Sequence, residues 1–458
     1  MPESGLVVAT PEHTQYGTDM KSTGQNKKKI ALTTLGCKVN QFESAAFLSE
    51  LAQREVELVP FSHPADIYII NTCAVTARAG AQSRQLIRRA LRANPEARLI
   101  VTGCYAQIGA QEILEIADSP ICIVGNGCKH RLVEVALADR HCDLEMHLGD
   151  IGGHKEICPL TVTSFGSRTR AYLKVQDGCN SFCSYCIVPY ARGRSRSLDP
   201  DKVVAQAEIF AAQGYKEQVL TGIHLGHYGQ DLTPKTNLRE LLGLLVARDL
   251  PVRYRLSSLE PTEITDELLN LMAQSASVMP YLHIPLQSGD DGILKRMNRR
   301  YPAAAFAKVV ERSVASLPDA AIGVDVLVGF PGEDEEAFAN TYRLLESLPV
   351  SYLHVFPYSK RPGTPAAAMA DQVPKPIKEE RVARLRDLHH TKRSGFYRKH
   401  LGSVRQILVE GRKQGCLLKG YTGNYIPVSF AGDSGLVNQL VTVRLEELTE
   451  DGVLGRIV

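Results

Sequence analysis

The sequence predicts an α/β protein in three parts: a doubly wound parallel sheet, a partial (βα)6 barrel and a small C-terminal β-barrel. Three observations carry this. Short apolar strands alternate with helical stretches from Lys28 onward. The alternation resumes as six strand–helix repeats beyond Arg168. The C-terminal stretch then abandons helices for short β segments broken by glycine. A length of 458 residues agrees with about three domains. The boundaries expected are a disordered tail over 1–27, then domains over 28–150, 165–393 and 397–458.

In the first domain, strands are expected at Ile30–Thr34, Ile67–Ile70, Leu99–Thr102 and Ile121–Val124. Helices are expected at Gln41–Arg54, Ala74–Arg92 and Ala110–Ala117. The second domain offers strands at Ala171–Gln176, Gln218–Gly222, Arg253–Ser257, Tyr281–Pro285, Ala321–Val328 and Tyr352–Pro357. Six parallel strands make an open barrel rather than the closed eight-stranded form. A basic stretch from Arg384 to Arg405 follows, helical in its first half. Segments Val404–Glu410, Gly415–Lys419, Tyr425–Phe430, Gln439–Leu445 and Gly452–Val458 complete the last domain, a barrel of the oligonucleotide-binding kind.

Composition narrows the class. Hydrophobic content of 44% supports a globular core. No apolar run approaches the ~20 residues of a membrane helix, and the polar N-terminus lacks the apolar stretch of a signal peptide. The eleven cysteines are odd in number and scattered, unlike a secreted disulfide framework. The expected location is the cytoplasm, where thiols stay free for metal. A net charge of +3 is compatible with RNA without arguing for it.

Three cysteines fall within eight residues, Cys179-Asn-Ser-Phe-Cys183-Ser-Tyr-Cys186. The loop follows the first barrel strand, at the rim where barrel active sites lie. Three thiolates leave one iron of a 4Fe–4S cluster open for chemistry. The spacing also suits an electron-carrying cluster or a zinc site. Zinc takes a fourth ligand; the next cysteine, Cys416, lies in another predicted domain, and His224 or His227 could complete such a site.

A second set is dispersed. Cys37, Cys73 and Cys104 each follow one of the first three strands of the N-terminal domain. Strand C-termini of a doubly wound sheet line one crevice, so these thiols converge. They hold a second cluster or are three buried core cysteines. Cys128 follows the fourth strand and is a possible additional ligand; Cys122, Cys142, Cys158 and Cys416 are expected to be structural.

The loop of Cys179, Cys183 and Cys186, with Tyr185 before the last cysteine, resembles the signature of radical S-adenosylmethionine enzymes. Thr34-Leu35-Gly36-Cys37-Lys38-Val39-Asn40-Gln41, Asn71-Thr72-Cys73-Ala74-Val75-Thr76 and Gly178 through Arg196 together resemble the methylthiotransferases, over nearly the whole chain. The resemblance implies two 4Fe–4S clusters and S-adenosyl-L-methionine, one molecule giving a methyl group and a second the radical that takes hydrogen from an unactivated C–H bond. It implies cluster ligation by both cysteine sets. It also implies cofactor contacts from Tyr185 and the strand-end residues Thr221, Gly222, Ser257, Glu260 and Asp325.

The family's substrates are two modified adenosines beside the tRNA anticodon and an aspartate of a ribosomal protein. The Gly-Cys-Lys-Val-Asn-Gln form resembles the N6-threonylcarbamoyladenosine branch; isopentenyladenosine and the ribosomal protein are the alternatives, and a non-catalytic, metal-stabilised RNA-binding protein is a further one. Partners implied are tRNA, an electron donor and a sulfur donor. Arg192, Arg194 and Arg196 follow the cysteine loop and suit substrate phosphate or a salt bridge to the loop. Arg405, Arg412, Lys413, Lys419, Tyr421 and Tyr425 suit backbone contact and base stacking, or a solvated face. Arg84, Arg88 and Arg92 form one helical stripe that serves either purpose equally.

Overall fold

The computed structural model describes residues 27–116, 121–138, 144–166, 168–414 and 417–458, with the side chains of 412–414 excluded. The tail expected over 1–27 lies outside them except for Lys27; so do Ala117, Cys142, Cys416 and the side chains of Arg412 and Lys413. The chain forms two compact units. One comprises the residues through 166 with Gln176–Asn180 and Cys186–Leu198; the other comprises Arg168–Val175, Ser181–Tyr185 and Asp199–Val458.

The first unit is built on a six-stranded sheet: β1 Lys28–Thr34, β2 Val56–Val59, β3 Ile67–Thr72, β4 Arg98–Gly103, β5 Ile121–Val124 and β6 Leu144–His147. The order is β2-β1-β3-β4-β5-β6, every pair parallel. Sequence periodicity finds the four inner strands and misses both edges. Ile67–Thr72 is buried along its whole length, which imposes a continuous apolar run. The edge strand β6, Leu-Glu-Met-His, alternates exposed and half-buried positions and carries no such run. The succession of strands reverses between β1 and β3, β2 lying on one side of β1 and β3 on the other, so the crevice beyond their C-termini is the fold's ligand position. The helix expected at Ala110–Ala117 is found at Ala110–Leu114, and a further short helix, Cys104–Ile108, precedes it across Gly109.

The second unit carries the six expected barrel strands: β7 Arg170–Lys174, β8 Glu217–Thr221, β9 Arg253–Leu256, β10 Tyr281–His283, β11 Ala321–Val328 and β12 Tyr352–Pro357. They hydrogen-bond as two three-stranded parallel sheets, β9-β8-β7 and β10-β11-β12. The succession continues across the break through an isolated parallel bridge at Tyr254 and Val278 and a bond from Leu259 N–H to His283 O of 2.9 Å. A 26-residue helix, Lys375–His400, carries the basic stretch as far as His400 rather than only its first half, and Arg405 lies beyond it.

The closed barrel at the C-terminus comprises β13 Val404–Gln414, β14 Leu417–Thr422, β15 Pro427–Ala431, β16 Leu440–Thr449 and β17 Gly452–Ile457, in the order β13-β14-β15-β17-β16. Ile407, Val409, Leu418, Val428, Phe430, Val443 and Val453 fill it. Within the second unit its Tyr421–Tyr425 turn packs on the first residues of the barrel strands. Glu217 is fully buried, accepts from Arg253 and Arg255 and forms an ion pair with Arg170 at 2.8 Å; the combined charge of the three holds its carboxyl far below the usual range against its burial. Arg253 and Arg255 also donate to the carbonyls of Tyr421 and Gly423, at 3.2 and 2.8 Å. Among the described residues no helix is long and apolar enough to cross a membrane.

Candidate iron–sulfur and cofactor sites

In the first unit the three dispersed cysteines arrive where the topology directs them. Cys37 follows β1, Cys73 follows β3, and Cys104 follows β4 and begins a helix. Two of the thiols feel their neighbours: the pKa of Cys37 is raised by burial and by Cys104, and that of Cys73 is pushed up to about 12 by burial, then by Cys104 and Cys37. Cys37 is nonetheless exposed as a residue. Dense surroundings with retained solvent contact are the property of a thiol lining a concavity.

The crevice is shaped for an occupant. Gly36 has φ +96, and a Cβ there would lie 2.9 Å from Cys73 Sγ, inside the cradle of that sulfur. Asn40 closes the base, donating to the carbonyls of Leu35 at 2.7 Å and Thr72 at 3.0 Å. Asn71 Oδ1, Thr102 Oγ1 and Asn126 Oδ1 are buried without a hydrogen-bond partner. Native interiors rarely leave such atoms unpaired without an occupant or a function to explain them. Three thiols at strand ends around one cradle fit an iron–sulfur cluster here.

The segment after Cys186 is locked to this crevice, still within the first unit. Arg192 is about 1% exposed and meets Asp177 at 2.9 Å, Glu43 at 3.1 Å, and Asn40 Oδ1. Lys129 is equally buried and pairs with Glu43. Burial lowers the Arg192 pKa, but Asp177, Cys104, Glu43 and Cys37 outweigh it and hold the guanidinium firmly charged. Asn126 Nδ2 donates to Ala191 O at 2.6 Å and lies 3.9 Å from Cys104 Sγ. Asp177 precedes Cys179 by two residues, and Arg192 follows Cys186 by six. One buried polar cluster therefore grips both flanks of the cysteine loop and the helix after Cys37. Gly178, with φ +72, permits the close passage: a Cβ there would lie 1.9 Å from Arg194 O.

Arg192 and Arg196 are corrected by this geometry. Both are buried, Arg196 donating to the Arg192 carbonyl, so neither can meet substrate phosphate. Arg194 is exposed. Sequence shows three arginines at alternating positions; only the distant Glu43 and Asp177 reveal that Arg192 is an anchor.

In the second unit, Cys183 Sγ accepts from Arg299 Nη1 at 3.7 Å. The same guanidinium clasps both oxygens of Glu260, at 2.9 Å for Nη1. Glu260 is thus committed to a buried pair. Phe182 takes φ +47, unusual for a residue with a side chain, and Asn298 Nδ2 secures it through the carbonyls of Phe182 at 3.0 Å and Ser181 at 3.3 Å. Tyr185 packs edge-on against Phe330. At the strand ends, Thr221 Oγ1 donates to Val219 O at 3.1 Å, Gly222 is half-buried, and Ser257 Oγ is buried with no hydrogen-bond partner, ready for a bound molecule. Asp325 Oδ1 lies 2.9 Å from His283 Nε2 and 3.3 Å from His354 Nδ1. His224 and His227 stack at 3.6 Å and turn to Glu263, His224 also meeting Ser181 Oγ at 3.1 Å. Arg299, His283 and His354 escaped the sequence reading, although His283 and His354 sit within predicted strands.

The barrel candidates are partly occupied. Arg405 pairs with Asp319 at 2.8 Å. Tyr421 and Tyr425 stack on each other at 4.8 Å and under Arg170 at 4.9 and 5.4 Å, which spends them inside the unit rather than on a base-stacking surface. Lys419 is half-buried on β14. Arg84 donates to Tyr105 Oη at 3.0 Å, while Arg88 and Arg92 are exposed.

A six-strand parallel βα barrel preceded by a doubly wound sheet, with a three-cysteine loop after the first barrel strand, defines a radical S-adenosylmethionine enzyme with an additional α/β domain. Residues 173–345 match the Radical SAM superfamily, and residues 29–125 match a family described as uncharacterized protein family UPF0004. The fold resembles that of the radical S-adenosylmethionine methyltransferase TsrM from Kitasatospora setae, with a TM-score of 0.55, 16% identity, and coverage of 74% of this chain and 77% of that one. The chain is 41% identical over 424 residues to the threonylcarbamoyladenosine tRNA methylthiotransferase MtaB of Bacillus subtilis, covering 91% of this chain and 93% of the relative. It is 40% identical over 407 residues to the protein of that name from Aquifex aeolicus, covering 88% and 97%. Identity to a tRNA-2-methylthio-N(6)-dimethylallyladenosine synthase of Geobacillus kaustophilus is 31% over 441 residues, covering 94% and 82%. The chain belongs to the radical S-adenosylmethionine methylthiotransferase family, in its MtaB branch.

Proposed function

We propose that this protein adds a methylthio group to C2 of N6-threonylcarbamoyladenosine beside the tRNA anticodon, using S-adenosylmethionine and two 4Fe–4S clusters. The observation that carries the two-cluster reading is the convergence of Cys37, Cys73 and Cys104 at three strand ends flanking the topological switch point, in a unit that also grips both flanks of the Cys179–Cys186 loop. We assign 28–150 to the auxiliary cluster, 165–393 to S-adenosylmethionine chemistry and 397–458 to a TRAM-like RNA-binding barrel. When bound, the clusters and S-adenosylmethionine supply hydrogen abstraction from an unactivated C–H bond, a methyl group and sulfur.

The chain's residues do the rest. Cys179, Cys183 and Cys186 hold one cluster with an iron left open, and Arg299 offers a charged donor to the Cys183 sulfur. Ser257, Thr221, Gly222 and Tyr185 border the cofactor, with Ser257 Oγ as the uncommitted hydrogen-bonding group. Glu260 holds Arg299 in position. Exposed Arg194, Arg88 and Arg92, with Lys419, receive RNA phosphate. An electron donor and a sulfur donor serve the protein in the cytoplasm.

Anaerobic iron and sulfide analysis tests the cluster reading, with about eight irons per chain expected and about four overturning the auxiliary site. Nucleoside mass spectrometry of tRNA from a deletion strain tests the substrate. Loss of the methylthio form of threonylcarbamoyladenosine is expected, and its persistence with no second enzyme present overturns the assignment.

A further inference from the structure

We propose that His354, oriented by Asp325, reads the polar substituent on N6 of the substrate base and thereby selects threonylcarbamoyl over isopentenyl. The inference rests on the substrate assignment above. His283 ends β10, Asp325 lies within β11, and His354 lies on β12 as the register partner of Asp325. Both imidazoles address one oxygen, Asp325 Oδ1. Burial alone would raise the Asp325 pKa, but the charge of His283 and hydrogen bonds from both histidines hold it far below the carboxylate range. An ionised carboxylate only accepts, so His354 Nδ1 carries the hydrogen facing it. That fixes the tautomer and leaves Nε2 directed elsewhere, an acceptor in the neutral ring and a donor in the imidazolium.

The two histidines differ in access. His283 is buried, whereas the His354 side chain is 47% exposed. His354 shares its strand face with Tyr352 and Phe356, ring centroids 5.2 and 6.4 Å away, and Phe356 is exposed. Asp325 shares its face with Leu327, and Leu327 and Tyr185 of the cysteine loop both pack against the cluster of Ile293, Met297, Phe330 and Tyr358. An accessible, oriented imidazole beside an exposed phenyl ring thus lies on a sheet face that shares a core cluster with Tyr185 of the cysteine loop.

The chemistry of the competing substrates decides what such a group can do. The threonylcarbamoyl arm offers a hydroxyl, urea N–H and C=O groups and a carboxylate. The isopentenyl arm offers only hydrocarbon. A site that hydrogen-bonds a substituent rejects the analogue lacking it, because its own polar group is then left unpaired. His354 Nε2 can take the hydroxyl or N–H as acceptor, or the carboxylate as donor, while Phe356 stacks on the base.

The test uses holoenzyme, the His354→Phe and His354→Asn variants, and anticodon stem–loop RNAs bearing threonylcarbamoyladenosine or isopentenyladenosine. Affinity is read by fluorescence anisotropy and turnover by nucleoside mass spectrometry. Phenylalanine keeps the ring and loses the nitrogen, so the wild-type preference for the threonylcarbamoyl RNA should fall about 10- to 100-fold, the worth of one hydrogen bond to a charged group. Asparagine keeps a polar group and should retain more of the preference. Wild-type preference surviving in both variants overturns the role of His354 and leaves the proposed function standing. A wild-type enzyme that thiolates the isopentenyl RNA and not the threonylcarbamoyl RNA overturns the proposed function itself.

Discussion

The two cysteine sets present thiols by opposite means. Cys179, Cys183 and Cys186 share one short loop, so local sequence brings them together and the fold needs only to hold the loop. Cys37, Cys73 and Cys104 are separated by long stretches of chain, and the parallel sheet alone makes them neighbours. The first arrangement survives any change that leaves the loop conformation intact. The second depends on the register of β1, β3 and β4, and so on the stability of the whole first unit. In the first unit the two arrangements also meet: Arg192 and Asp177 flank the loop, and Asn40 and Glu43 belong to the helix after Cys37.

The sharpest break comes from one serine in each set. Cys183→Ser should reduce reductive cleavage of S-adenosylmethionine to background, measured as 5′-deoxyadenosine. Cys73→Ser should abolish thiolation of the RNA while cleavage continues. Cleavage surviving the first change, or thiolation surviving the second, would dissolve the division of labour between the sites.

Next in size is the anchor. Arg192→Met removes a buried cation from between Glu43 and Asp177, and breaking a buried pair from one side costs about 3–5 kcal/mol. The urea midpoint of the cluster-free protein measures it. Adding Asp177→Asn should restore part of the loss, since the stranded anion is then gone. A variant as stable as wild type would show that Arg192 does not join the two sets.

The loop was legible because its spacing is itself the signal. The dispersed set was legible because β3 and β4 are buried almost throughout, β1 carries a shorter apolar run, and each cysteine occupies the same place after its strand. Arg192 was not legible: beside Arg194 and Arg196 it reads as a basic surface run, and its burial is imposed by Glu43, 149 residues away. The edge strands β2 and β6 were missed because solvent on their outer side removes the apolar run. Tyr421 and Tyr425 look like base-stacking residues until Arg170 and Arg255, distant in sequence, are placed over them.

Two glycines sharpen the comparison at a smaller scale. Placing a Cβ-bearing residue in the left-handed region costs roughly 1–2 kcal/mol before any collision. Gly178→Ala adds a clash with backbone, Arg194 O, whereas Gly36→Ala meets Cys73 Cβ at 2.8 Å and Sγ at 2.9 Å, a milder overlap in which the sulfur can rotate. The Gly178 variant should therefore be the less stable of the two. The Gly36 variant should be the one that loses auxiliary-cluster iron, since the sulfur that rotates away is the ligand. Iron per chain and the urea midpoint, measured together, separate the effects; equal iron loss in both would mean that the cradle at Gly36 has no special part.

The smallest effect isolates the helix after Cys73. The helix Lys38–Leu51 starts directly after Cys37, whose residue occupies its N-cap without a side-chain capping bond. The helix Ala77–Ala93 begins four residues beyond Cys73 and has its own cap, Thr76 Oγ1 accepting from Ala79 N–H at 3.1 Å. Cys73 is thus held by the strand end and the packing around it rather than by a helix terminus. Thr76→Ala should cost about 1 kcal/mol of stability, with Thr76→Ser near neutral, and neither should change iron content. Iron falling in step with stability in the alanine variant would place the helix among the elements that fix the thiol, and the two sets would then differ less than their topology suggests.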